Sequence, residues 1–369
     1  MKKKIELDAP MLGGLEKEYL GRCIDSGFVS TAGPFVPEFE AKFADIVGTK
    51  AAVAVQSGTA ALHVALLELG VGNGDEVILP AVTFVATANV VKYCGATPVF
   101  VDIDPDTWNM DPAEVEKKIT ARTKAVIPVH LYGNPCEMGR IMETAERNGV
   151  PVVEDATESL CAEYHGRKTG TFGKFGCFSF NGNKIITTGG GGMVVTDDER
   201  AAKHIKYLVN QAKDEGSGYC HSEIGYNYRM TNLEAALGLA QLERLPEFIR
   251  KKKMFREIYG KQLEGLPGVK FQLESPGASS SWWMVSISLD SGDRLDRFME
   301  ELARGNIPAR RLFAPITCFA PYKEYSTSDF PHSNDICRRS VNLPGSAVNT
   351  EESIDEAAVT IREILERVF

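Results

Sequence analysis

The sequence predicts an α/β chain: a mostly parallel sheet covered on both faces, followed by a smaller α+β unit. Two observations carry this expectation. From residue 50 onward, short β-rich runs alternate with helical stretches, and near Leu233 the alternation gives way to one long helix-compatible run. Ala51 to Val55 is a strand, and Thr59 to Leu69 has helical periodicity. Glu76 to Leu79 is the next strand, ended by Pro80, and Phe84 to Cys94 the next helix. Thr97 to Val101 is a strand and Pro112 to Ile119 a helix. Ala125 to Pro128 and Pro151 to Glu154 are strands separated by a helix from Met138 to Asn148. Strands at Phe175 to Phe180 and Met193 to Thr196 follow with no helix between them, so at least one pairing should break the parallel pattern. Leu233 to Gln262 is almost uninterrupted helix, with Pro246 the one expected kink. Beyond it come Val269 to Gln272, a strand at Trp283 to Leu289, a helix around Leu295 to Arg304 and a terminal helix from Ile354 to Phe369. The domain expectation is an arm over 1–30, a large domain over 31–245 and a small C-terminal domain over 246–369.

Composition narrows the function. The 369 residues can bury a sizeable core, and 43% hydrophobic with 25% charged residues is ordinary for a soluble globular protein. A formal net charge of -9 argues against a nonspecific nucleic-acid partner, which needs a basic footprint. The opening Met1-Lys2-Lys3-Lys4-Ile5-Glu6-Leu7-Asp8 has no apolar stretch behind its lysines, so no secretory signal is expected. The longest apolar region, Ala51 to Val71, is broken by Gln56, Ser57, Thr59, His63 and Glu68, so no membrane span is expected. The eight cysteines are scattered without a Cys-x-x-Cys pair. They are expected to be reduced thiols in a cytoplasmic protein, with no metal site.

Five segments carry chemistry. In Ser179-Phe180-Asn181-Gly182-Asn183-Lys184 a lysine lies between a short strand and the glycine run Gly189 to Gly192. A desolvated lysine has its pKa pushed down and can form a Schiff base with an aldehyde, although the same segment also suits a hairpin with a surface lysine. In Gln56-Ser57-Gly58-Thr59-Ala60-Ala61-Leu62 a strand ends in a small polar turn that starts a helix. That is the place for a phosphate, or for a plain N-cap. Val152-Val153-Glu154-Asp155-Ala156 ends a buried strand in two acids, which are costly there unless partnered. A carboxylate set against a pyridinium nitrogen keeps that ring protonated, the partnership pyridoxal phosphate chemistry needs, and Asp155 is the acid chosen for it. Phe84, after the Pro80 break, could stack on a planar cofactor or simply fill core. Gly225-Tyr226-Asn227-Tyr228-Arg229-Met230 joins aromatics, an amide and an arginine just before the long helix, as an anion site or a capped loop.

Ser57-Gly58-Thr59-Ala60-Ala61-Leu62, Glu154-Asp155-Ala156, Ser179-Phe180 with Lys184, and Gly225-Tyr226-Asn227-Tyr228-Arg229-Met230 occur in that order and spacing. Together they resemble the sugar aminotransferases of the DegT/DnrJ/EryC1/StrS family, over most of the chain from about Ser30. The resemblance implies an aspartate-aminotransferase-like fold (fold type I) with a seven-stranded, mostly parallel sheet, a small C-terminal domain, and a homodimer with shared active sites. It implies that Lys184 holds pyridoxal 5'-phosphate covalently and later shuttles protons, that Asp155 pairs with the pyridine nitrogen and that Phe84 stacks on the ring. Gly58, Thr59, the Ala60 amide and Ser179 would hold the phosphate, with Asn227 reaching it from the partner subunit. Glu158 stands where many members have Gln or His near the ring hydroxyl, and Gly190 replaces a frequent Glu. Cys161, where Gly is more usual, has no evident meaning.

Those departures resemble a subgroup that aminates the C4 ketone of UDP-linked 4-keto-6-deoxy-N-acetyl sugars with L-glutamate, which leaves as 2-oxoglutarate. GDP-perosamine synthases, which act on a GDP-linked 4-keto sugar, use nearly the same loop and are the alternative. Ser30, Thr31, His130, Tyr132 and Arg229 are candidates for the sugar pocket. A dehydratase relative would carry histidine in place of Lys184. A nicotinamide enzyme would need Gly-x-Gly-x-x-Gly where this chain has Gln-Ser-Gly-Thr-Ala-Ala. A noncatalytic regulatory relative would keep the fold without needing the lysine.

Overall fold

The computed structural model describes residues 5–214, 216, 218–325 and 330–368. Its central sheet has seven strands, in the spatial order Thr97–Val101, Glu76–Pro80, Thr123–Val126, Val153–Asp155, Phe175–Ser179, Gly192–Thr196, Ala51–Val55. The third and fourth are joined by the parallel bridges Val126 to Val152 and Val129 to Asp155. Every neighbouring pair is parallel except those of Gly192–Thr196, which is antiparallel to both its neighbours. That exception falls where the sequence lacks a crossover helix. A short connection between adjacent strands can only return the chain antiparallel.

Side-chain alternation divides the sheet between two cores. Ala52, Ala54, Phe178, Met193 and Val195 face a cluster with Phe39, Phe43, Phe180 and Leu239. Val53, Val55, Phe175, Cys177 and Val194 face the other, with Ala61, Leu62, Val64 and Leu66 of the helix Gly58–Glu68. Period-two alternation therefore buries both faces, as a mostly parallel sheet requires.

The second sheet is antiparallel throughout, in the order Val269–Phe271, Val285–Leu289, Ser340–Leu343, Arg310–Arg311. The long helix Asn232–Leu263 serves both units. Thr231 and Glu234 form a reciprocal capping box at its start, and Pro246 lies inside it. Ala236, Leu239, Leu245 and Phe248 pack in the large core, while Phe255, Tyr259 and Leu263 pack under the second sheet with Leu289, Phe298 and Ile361.

The unpatterned arm expected at the N-terminus contains a helix, Glu16–Ser26, that lies on the long helix with Tyr19 Oη donating to Glu243 Oε1 at 2.8 Å. Before it, the chain is tied to the C-terminal segment. Gly345 N donates to Leu7 O (2.8 Å), Ser346 Oγ to Ala9 O (2.6 Å), and the Asn349 amide bonds both Glu6 N and Glu6 O. The last helix is Glu351–Val368, and Phe369 lies outside the described residues. Among the described residues no helix is long and apolar enough to cross a membrane.

Candidate active site

Strand ends, one helix start and one loop converge on a cleft of about 470 Å³. The helix Gly58–Glu68 enters it with its N-terminus, where Ser57 is the cap and its Oγ accepts from Ala60 N at 3.1 Å. Gly58 is pressed against the opposite wall. A Cβ at this position would stand 2.8 Å from Ser179 Cβ and 2.9 Å from Thr157 Cγ2. Only glycine lets the backbone come this close, leaving a small cup lined by Ser57, Gly58, Thr59 and Ser179 at the positive end of the helix dipole. Ala60 departs from the expectation. It is buried, does not border the cleft, and its N–H is given to the Ser57 cap.

The acid pair at the end of Val153–Asp155 is divided by strand alternation. Glu154 points away from the cleft and accepts from Gly170 N and Gly173 N, both at 2.7 Å, and from His130 Nε2 at 3.0 Å. Asp155 borders the cleft. Its Oδ2 accepts from Thr87 Oγ1 and its Oδ1 from Thr157 Oγ1, each at 2.7 Å. Thr83 Oγ1 lies 3.0 Å from Thr87 Oγ1 and extends the chain. Asp155 is 3% exposed, so these hydroxyls fix a carboxylate that has little water to turn toward.

Lys184 stands on the loop after Phe175–Ser179. Its Nζ lies 3.9 Å from the centre of the Trp283 ring and 3.5 Å from Glu158 Oε1. Glu158 is buried, and its other oxygen accepts from Tyr132 N at 2.8 Å. Burial pushes the Glu158 carboxyl above the usual range, against the pull of the Lys184 ammonium and the Tyr132 amide. Trp283 is itself anchored, with Nε1 donating to Asn183 O at 2.7 Å. Phe84 stands at the mouth with 55% of its surface exposed, its ring 5.8 Å from that of Phe313. An exposed phenylalanine on a cleft wall offers a planar ligand a stacking face.

The structure therefore brings together Gly58, Thr59, Phe84, Asp155, Glu158, Ser179 and Lys184. It does not bring the five sugar-pocket candidates to this cleft. His130 is fully buried: Nδ1 accepts from Cys136 N at 3.0 Å, so Nε2 carries the hydrogen given to Glu154. Tyr132 is also buried, stacked on Phe313, with Oη accepting from Phe313 N at 3.1 Å. It supports the site from behind. Thr31 and Arg229 border a different hollow, and Ser30 is exposed with its carbonyl accepting from Asn232 N. Asn227 is exposed and lies outside the Lys184 cleft. Thr87, Thr157, Trp283, Arg310 and Phe313 border the cleft and went unread in the sequence. The rare Trp282-Trp283 pair was the one signal that could have drawn attention there.

The donor set fits pyridoxal phosphate. The cup at Gly58 would take the phosphate, Asp155 the ring nitrogen, Phe84 the ring face, and Lys184 Nζ the aldehyde carbon. The model for the DegT/DnrJ/EryC1/StrS aminotransferase family matches residues 10–362. The chain is similar to a GDP-perosamine synthase of Caulobacter vibrioides, 41% identical over 368 residues and 98% of each chain. It is 42% identical over 361 residues to a GDP-perosamine synthase of Escherichia coli O157:H7, again covering 98% of each. Among solved structures it resembles the PLP form of Spr1654 from Streptococcus pneumoniae, with a TM-score of 0.94 and 28% identity over 99% of this chain and 100% of that one.

Proposed function

The chain belongs to the DegT/DnrJ/EryC1/StrS aminotransferase family, and from that premise we propose that it moves an amine from L-glutamate to the C4 ketone of a GDP-linked 4-keto-6-deoxy sugar. It is a pyridoxal-phosphate-dependent sugar aminotransferase of fold type I. The guanosine-linked acceptor replaces the UDP-linked N-acetyl sugar preferred on the sequence loop. Relatives about as close as 41% and 42%, over nearly whole chains, are named for perosamine synthesis, and that supports the change.

One observation carries the chemistry: an amine (Lys184) and a hydroxyl-anchored carboxylate (Asp155) border the same cleft as a glycine-walled cup. When bound, the cofactor's contribution is a carbonyl that exchanges amines and a protonated ring that takes up an electron pair. Lys184 Nζ would hold it covalently and, once displaced by the donor's amine, would carry a proton from the donor's α-carbon to the cofactor carbon that the lysine had held. Glu158 Oε1 stands 3.5 Å from that nitrogen, close enough to orient the amine while it carries the proton. Asp155 would keep the ring nitrogen protonated, its two oxygens held in line by Thr87 and Thr157. The Trp283 indole would cover one side of Nζ and exclude water. Asn227 is exposed and away from its own cleft, which supports service to the cleft of a second copy in a homodimer.

The test is a panel of nucleotide-linked 4-keto sugars offered with L-glutamate, with products identified by mass and NMR. GDP-4-keto-6-deoxymannose is expected to give the 4-amino sugar at the highest kcat/KM. Preferred turnover of a UDP-linked N-acetyl sugar would return the acceptor to the reading drawn from the loop.

A further inference from the structure

Arg310 borders the Lys184 cleft from the edge of the small sheet. Its Nη1 donates to Asp8 Oδ2 at 2.9 Å, and the same Asp8 oxygen accepts from Asn183 Nδ2 at 3.1 Å, one residue before Lys184. The N-terminal segment thus ties the guanidinium to the lysine loop. Nε and Nη2 are buried and have no hydrogen-bond partner among the described residues. Buried guanidinium hydrogens left unmatched are costly, and such groups in native proteins ordinarily find a partner. Nε and Nη2 share one edge of the guanidinium, and their parallel hydrogens match the two oxygens of a carboxylate. The Trp283 ring links this edge to the reacting amine: Lys184 Nζ lies 3.9 Å from the ring centre and Arg310 Cζ lies 5.9 Å from it.

We propose that Arg310 receives the α-carboxylate of the amino-acid donor through Nε and Nη2, while Asp8 holds the guanidinium in place through Nη1. The proposal rests on the aminotransferase reading and adds to it the residue that recognises the donor. Connectivity favours a carboxylate over the phosphates of the sugar nucleotide. In an amino acid the carboxylate is one bond from the carbon whose amine reacts. In a nucleotide-linked 4-keto sugar the diphosphate lies across the pyranose ring from C4. Both substrates take turns at one lysine, so an anion site beside that lysine serves the amino acid. When the sugar is bound, Asp8 still compensates the Arg310 charge.

The two half-reactions, followed separately by the visible spectrum of the holoenzyme, test this. Arg310→Met should raise the L-glutamate concentration needed for half-conversion by about 100-fold, the scale of losing a bidentate charge-assisted pair. Transfer from the aminated enzyme to the keto sugar should change by less than about 3-fold. Arg310→Lys, which keeps the charge but not the fork, should behave like Arg310→Met in direction and guard against a variant that fails to fold. Wild type should prefer L-glutamate to 4-aminobutyrate, which lacks the α-carboxylate, and that preference should collapse in both variants. Equal loss in the two half-reactions, or loss confined to the sugar step, overturns the assignment. The second outcome would give Arg310 to the phosphates. A wild-type protein that binds the cofactor yet takes no amine from any amino acid overturns the donor reading and this assignment together.

Discussion

Lys252 buries an ammonium behind the site. Its Nζ donates to Trp283 O at 3.1 Å and Gly345 O at 3.0 Å, so it joins the residue that covers Lys184 to the segment that receives the N-terminal arm. Burial pulls its pKa down from 10.5 to about 8, with the Asp8 charge pulling the other way. Between those values the unfolded chain holds more protons than the folded one, so this residue's contribution to stability rises with pH across that window. Below pH 8 both states are charged and the full desolvation cost is felt. Lys252→Met should therefore flatten the profile. The stability difference, wild type minus variant, should grow by on the order of 3 kcal/mol from pH 8 to 10.5, measured by urea unfolding. Parallel profiles would mean that the amine stays charged throughout. Nothing in the sequence marks Lys252, one of three consecutive lysines on a long helix, because only the tertiary fold decides which of them turns inward.

At the scale of elements, the start of the helix Gly58–Glu68 does the most for the site. Gly58→Ala would push a methyl against Ser179 Cβ and Thr157 Cγ2, both closer than 3 Å. Overpacking of this kind costs about 1–3 kcal/mol, and here it also closes the cup. The variant should lose a few degrees of thermal midpoint and bind pyridoxal phosphate much more weakly in an absorbance titration. Unchanged affinity would remove the cup from the phosphate site.

Elements with strong periodicity were legible in the sequence, including the helix through Pro246 and the antiparallel break after Phe180. Others were not. The helix Glu16–Ser26 buries only Glu16, Tyr19 and Cys23, too sparse an apolar stripe to read. Ser340–Leu343 follows the helix Pro331–Arg339 without a turn signal, and two of its four residues are polar yet buried, Ser340 opposite Ser288 and Asn342 between Ser286 and Arg310.

Across the whole molecule, what the sequence could reveal of the site ends where the chain leaves its local motifs. Lys184, Asp155 and Gly58 sit in short patterns whose chemistry is local, and they meet in one cleft. Arg310 comes from the small sheet, Trp283 from the segment that leads into it, Asp8 from the N-terminus, and no spacing rule connects them. His130 and Tyr132 erred in the opposite sense: polar side chains beside a strand end suggested a pocket, whereas buried partners absorb both.

The central claim is that Lys184 carries the cofactor, and hydride reduction of the holoenzyme followed by peptide mass spectrometry tests it most directly. A reduced pyridoxyl group is expected on the peptide containing Lys184, with none on Lys184→Ala treated alike. A wild-type protein saturated with pyridoxal phosphate that yields no adduct, or yields it on another lysine, would contradict the account.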